Sequence, residues 1–166
     1  MNKLKLTTEE IEAIFKSHLP YKLTQLKNHH YYKEIYRQEI KSDLLYHKHS
    51  ICAIEISFIA GRLFLDFLGL TMRNKKLAEK KSEDYRIDDL SVIDFNCQPV
   101  LLKDLTENEI KVLTIFYHRG NKGSGHFTWE EREVDGWEYL DEGVEIIIKL
   151  LKTFFYDKKG QEMNEQ

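Results

Sequence analysis

The chain has 166 residues, 42% hydrophobic and 32% charged, with nine Phe and nine Tyr against two Pro and eight Gly. That is apolar material for one sizeable core, too little length for two ordinary domains, and too few turn formers for a fold of many short strands. The net charge of −3 excludes the basic composition of a general nucleic-acid binder. It conceals a split, with a balance of +5 over residues 1–86 and −8 over residues 87–166, which reads either as ordinary surface scatter or as two halves that could attract each other within one chain or between two copies.

In chain order, Thr7-Thr8-Glu9-Glu10 spells a capping box and opens a first helix to about His18, with Ile11, Ile14 and Phe15 on one face. Pro20 is expected to end it and to start a second, since proline is tolerated in a first turn. Residues 21–40 are amphipathic, with Leu23, Leu26, Tyr32, Ile35 and Tyr36 as candidate core residues; His29-His30 and Tyr31-Tyr32 blur the pattern and leave room for a break in the helix. The longest helix is expected over 43–70, where 14 of the last 20 residues are apolar. Glu55, Ile59, Arg62 and Asp66 form a narrow strip, mostly polar, on that rod, and Gly69 suits its end. Glu55, Arg62 and Asp66 also argue against a membrane span, because charges near a bilayer centre cost about 2.5–3.5 kcal/mol each.

Residues 71–84 are rich in Lys, Arg and Glu and read as a solvated helical extension or a loop. Residues 85–105 mix apolar residues with turn formers and read as an irregular connection or a short hairpin. Thr106 and Glu109 make a second capping box, opening a helix through Tyr117 with Ile110, Leu113, Phe116 and Tyr117 inward. The glycines of 120–125 are expected to interrupt it. Residues 129–137 are an acidic connection. A final helix over 139–156 turns Leu140, Val144, Ile147, Ile148, Leu151, Phe154 and Phe155 inward, and residues 157–166 are expected to fray. The pattern is all-α: an up-and-down four- to five-helix bundle in one domain over 1–156, with N-terminal helices at about 7–40 and the bundle core at about 43–156.

The segment that carries chemistry is His118-Arg119-Gly120-Asn121-Lys122-Gly123-Ser124-Gly125-His126. Its glycines let backbone N–H groups approach an anion, and the Arg119 guanidinium matches a phosphate with two parallel hydrogen bonds. Arg119, Lys122, Gly123 and Ser124 are therefore candidate phosphate-binding residues. His126 has a side chain that exchanges protons near neutral pH. These parts suffice for metal-independent RNA cleavage. His126 takes the proton of a ribose 2′-hydroxyl, Arg119 neutralises the charge growing on phosphate, and Asn121 orients one of the partners. The alternative is a plain polar link between two helices, with His126 packed beside Trp129.

An Arg, a polar residue close behind it and a His a few residues on, between the last helices of a small helical domain, resemble the HEPN superfamily. The resemblance implies a four- to five-helix bundle, often a homodimer. It implies either a metal-independent endoribonuclease of toxin–antitoxin, abortive-infection or RNA-processing systems, or an inactive binding or accessory domain. The family motif is Arg, four to six residues, then His, with a polar residue usually directly after the Arg. Arg119 and His126 match with six between; Gly120 stands in the polar position and Asn121 one step later, a departure from the pattern. The implied partners are a second copy, RNA or a nucleotide, and an antitoxin-type protein. No cofactor is implied.

Glu55 and Arg62 are supporting candidates that could face the same cleft, against the alternative of an exposed i, i+4 pair between Arg62 and Asp66. His29-His30 and His47-x-His49 lack the i, i+4 spacing that puts two imidazoles on one helical face, and no metal site is expected. Tyr31, Tyr32, Tyr36 and Tyr46, near Lys33, Arg37 and Lys48, suit base stacking, although core packing is the commoner use of tyrosine. Cys52 and Cys97 have no partner at metal or redox spacing and read as free thiols of a reducing compartment. With acidic residues directly after Leu6, no signal peptide is expected, and the location expected is cytoplasmic.

Overall fold

The computed structural model describes residues 6–32, 43–86, 89–123 and 137–164. Thr7 opens the first helix through its capping box: its hydroxyl accepts the Glu10 N–H at 3.2 Å, and the Glu10 carboxylate accepts the Thr7 N–H at 2.7 Å. Helix α1 (Thr8–Ala13) then runs through a wide π-turn (Ile14–His18) straight into α2 (Leu19–Leu26). Pro20 therefore does not end the helix. A proline lacks the N–H that would bond four residues back, and its ring presses on that carbonyl. The widened turn, in which the Leu19 N–H bonds to the Ile14 carbonyl, absorbs the conflict.

The chain breaks at Lys27 before a single helical turn, α3 (Asn28–Tyr31), so the amphipathic stretch is not one helix. Leu23 and Leu26 are fully buried; Ile35 and Tyr36 lie outside the described residues. Helix α4 (Asp43–Phe67) is the long rod that its apolar content predicts. Its Glu55, Ile59, Arg62 and Asp66 are all half-buried, as a strip at the edge of a core should be. Gly69 follows at φ +92, where a Cβ would also meet the Pro99 side chain at 2.5 Å.

What comes next differs from expectation. Residues 70–79 form neither a helical extension nor a loop but an antiparallel hairpin, β1 (Leu70–Arg73) and β2 (Lys76–Glu79), with Leu70 opposite Glu79 and Arg73 opposite Lys76. Asn74 (φ 50) and Lys75 (φ 60) make a two-residue turn with both central residues left-handed. Residues 89–105 are irregular, with short 3₁₀ turns at Val92–Phe95 and Leu102–Asp104 laid against the core. The second capping box holds: the Thr106 hydroxyl accepts the Glu109 N–H at 3.2 Å and opens α5 (Glu107–His118). Helix α6 (Leu140–Leu151) continues through a π-turn (Lys152–Tyr156) into a last turn, α7 (Asp157–Lys159). Beyond it Met163 rests against the core. The fold is thus predominantly helical with one two-stranded hairpin, and among the described residues no helix is long and apolar enough to cross a membrane.

Two aromatic centres fill the core. Phe116 of α5 lies between Gly61 of α4 and Gly143 of α6: a Cβ at Gly61 would sit 2.1 Å from its Cε1, and one at Gly143 2.2 Å from its Cδ2. Its ring also packs against Phe58, centroids 4.7 Å apart. The second centre is Phe155, stacked on Phe15 at 5.1 Å and met edge-on by Phe67 and Phe95 at 5.0 Å each. Where α5 and α6 reach the surface, the Lys149 ammonium donates to Glu109 Oε1 at 2.6 Å.

Gly143→Ala should destabilise the protein by about 1–3 kcal/mol, because the added methyl must displace a ring already confined on both sides; urea unfolding measures this, and an unchanged midpoint would show that Phe116 has room. Glu109 provides a pH test. The Lys149 ammonium, then the Thr106 backbone, hold its carboxyl below the ordinary glutamate range. A depressed folded-state value stabilises the fold above the unfolded value of about 4.3 and is lost as pH falls through the folded one. Lys149→Met should therefore cost roughly 0.5–1 kcal/mol at pH 7, since Lys149 is largely exposed, and progressively less below about pH 4.

Candidate functional site

Helix α5 does not stop at the glycines. Past His118 the chain continues as a π-turn over Arg119–Gly123. Such turns are rare and recur at functional positions. The glycine that permits it is Gly120, where a Cβ would stand 2.4 Å from the Phe58 carbonyl oxygen and 3.0 Å from Arg62 Cβ. Gly120 thus serves close approach of the turn to α4, and that face of it is filled by protein, not open to an anion. Arg119, the C-cap of α5, is buried, only 9% exposed, and Asn121 is half-buried. A cation is favoured at a helix C-terminus, where the unpaired carbonyls carry negative partial charge. The backbone of Lys122 and Gly123 completes the turn, and Ser124, Gly125 and His126 lie outside the described residues.

Arg62, a sequence candidate, lies at this seam. Its Nε is 3.5 Å from Asp66 Oδ2, one turn further along α4. Asp66 gathers two more partners: the Tyr117 hydroxyl donates to its Oδ1 at 2.8 Å, and the Lys80 ammonium is 3.5 Å from the same oxygen. Burial, joined by the negative charge of Asp66, pushes the Tyr117 phenol up to about 12, so it stays a donor at any physiological pH. Thr71 is 3.4 Å from the Tyr117 hydroxyl. The Lys80 side chain is only 6% exposed and its ammonium lies 5.1 Å from the Tyr85 ring centroid, between an anion and an aromatic face.

This network forms one wall of a cleft of about 810 Å³, to which the Ile14–His18 π-turn, α2 and the segment after the hairpin contribute His18, Lys22, Glu83 and Arg86. Both cations and carboxylates line it. Glu55 is half-buried seven positions before Arg62 and is not among the cleft residues.

A second polar cluster lies where α3 and α4 meet the start of α6. His29 is buried, with Nδ1 3.1 Å from the Ser57 hydroxyl and Nε2 2.8 Å from Asp141 Oδ1. The residue types are those of a hydrolytic triad, but Ser57 is wholly buried and its oxygen contacts the carbonyls of Ala53 and Gln25, so no substrate can reach it. Cys52 is exposed and Cys97 is buried; burial raises the Cys97 thiol.

No family model, curated protein or solved structure matches the chain significantly. Function therefore has to be argued from these residues. Sequence reasoning located Arg62, Asp66 and Arg119 but missed Lys80, Thr71 and the approach of Asp141 to His29. Nothing local marks Lys80 within its charged run, and 112 positions separate His29 from Asp141.

Asp66→Asn keeps the shape and removes the charge that Lys80, Arg62 and Tyr117 share. It should destabilise by about 2 kcal/mol, and Tyr117→Phe by about 1 kcal/mol, in chemical denaturation. Native-like stability for Asp66→Asn would mean that other groups hold the Lys80 ammonium.

Proposed function

We propose that the chain is a HEPN-like helical domain that handles an RNA phosphate at the Arg119–His126 segment and cleaves RNA without a metal ion. The observation that supports this is the anchoring of Arg119. It leads a π-turn pinned to α4 by Gly120, beside Arg62, so the first residue of the motif stands on a rigid element. Arg62, itself held by Asp66, is the supporting residue on α4, and Glu55 lies on the same strip.

In the reaction, His126 removes the proton of a ribose 2′-hydroxyl. The 2′-oxygen attacks the adjacent phosphorus, the bond to the 5′-oxygen breaks, and that oxygen leaves with a proton from water or from the imidazolium of a second copy. The products are a 2′,3′-cyclic phosphate and a 5′-hydroxyl. Arg119 and Lys122, with the backbone at Gly123 and Ser124, offset the charge that grows on the phosphate oxygens, and Asn121 orients His126 or the phosphate. The family's habit of pairing two such segments across a homodimer fits the opposed charge of the chain's two halves.

Incubation with end-labelled single-stranded RNA in EDTA should yield fragments ending in cyclic phosphate. His126→Ala should slow cleavage at least about 100-fold, the range expected for a lost general base, with its circular dichroism unchanged. Cleavage at the native rate by His126→Ala ends the catalytic reading. RNA binding that weakens steeply with salt and with Lys122→Ala, but without cleavage, assigns the segment to binding alone.

A further inference from the structure

We infer that His29, His30 and Asp141 form a binding site for a divalent transition-metal ion of the zinc type, joining α3 to the first turn of α6. One ligand atom of each of the three residues lies within 4.8 Å of the others. Asp141 Oδ1 is 2.8 Å from His29 Nε2 and 3.8 Å from His30 Nε2. Atoms that share a tetrahedral ion at bonds of about 2.0–2.2 Å stand about 3.3–3.6 Å apart, a range these two separations bracket. Side-chain rotation alone would close the site. His30 and Asp141 are 39% and 51% exposed in their side chains and can make that rotation.

His29 supplies the fixed part. Its side chain is fully buried, its backbone N–H donates to Ser57 Oγ at 3.3 Å, and its Nδ1 lies 3.1 Å from the same oxygen. The Ser57 hydroxyl hydrogen has its acceptor in the Ala53 carbonyl at 3.1 Å. With that bond made, Ser57 Oγ is positioned to accept from Nδ1–H, the tautomer in which Nε2 carries the lone pair. Ligating histidines commonly have this arrangement, the far ring nitrogen donating to an oxygen that sets ring orientation and tautomer. Nε2 faces Asp141 Oδ1 at 2.8 Å, so one ion can reach both atoms after a small side-chain adjustment.

Two imidazole nitrogens and one carboxylate oxygen suit Zn²⁺, Co²⁺ or Ni²⁺ and not the oxygen-seeking Mg²⁺ or Ca²⁺. The ion would fasten the start of α6, where the chain returns from residues 124–136. This site is independent of the Arg119–His126 reading, since none of its ligands belongs to that segment.

The test titrates Co²⁺ into the full chain carrying Cys52→Ser, which removes an exposed thiol that would compete for metal. A saturable visible absorption band should develop and should be displaced by Zn²⁺. His30→Ala and Asp141→Asn, both at solvent-accessible positions, should each weaken binding about tenfold or more and abolish the band. Ser57→Ala, which touches no ion, should weaken it by about 10–100-fold. Zn²⁺ should raise the melting temperature of the parent and not of the two ligand variants. Absence of saturable binding, or unchanged affinity in His30→Ala and Asp141→Asn, overturns the proposal.

Discussion

The packing of Phe116 between two glycines is the constraint on which the rest of the structure depends. Three helices, α4, α5 and α6, meet at that ring, and each close approach exists because a side chain is missing. Gly120 repeats the principle one turn later, where the end of α5 rests on the α4 backbone at Phe58. These contacts set the separation and rotation of α5 relative to α4. Arg119 is buried as a consequence, Gly120 rests against Arg62, and Tyr117 is brought to Asp66.

A polar layer grows from the same geometry. Asp66 collects Arg62, Tyr117 and Lys80 at the edge of the core, so three donors share one carboxylate. Lys80 reaches it because the hairpin turns the chain back on itself immediately after α4, with the Lys80 N–H bonded to the Gly69 carbonyl at 2.7 Å. The hairpin is small, but it converts a charged run that would otherwise be solvated into one wall of a cleft.

Much of this was legible in the residues and some was not. Both capping boxes, at Thr7 and Thr106, hold because their interactions are confined to one helical turn. The 43–70 rod and the inward face of the last helix were legible because burial writes itself into apolar periodicity. The hairpin was hidden because its turn is Asn74-Lys75, without the glycine that normally signals two left-handed residues. The continuation of α5 past Gly120 was hidden because a glycine required for close packing is indistinguishable, in one sequence, from a glycine that ends a helix. The meeting of His29 with Ser57 and Asp141 depends on tertiary closure alone, and no local pattern carries it.

The three π-turns at Ile14–His18, Arg119–Gly123 and Lys152–Tyr156 have one further consequence. Each holds an extra residue in a single revolution, so the helix beyond it is rotated relative to the helix before it. Counted on an unbroken period of 3.6 residues, Tyr156 falls on the opposite side from Leu140, Val144 and Ile147, yet it is as buried as they are. The turn over Lys152–Tyr156 swings it back to the core. The apolar code of this chain is thus written in several phases, changing at about residues 16, 121 and 154. A residue inserted or deleted near one of those points can be absorbed as a change in turn width, leaving the helices on either side aligned with their neighbours.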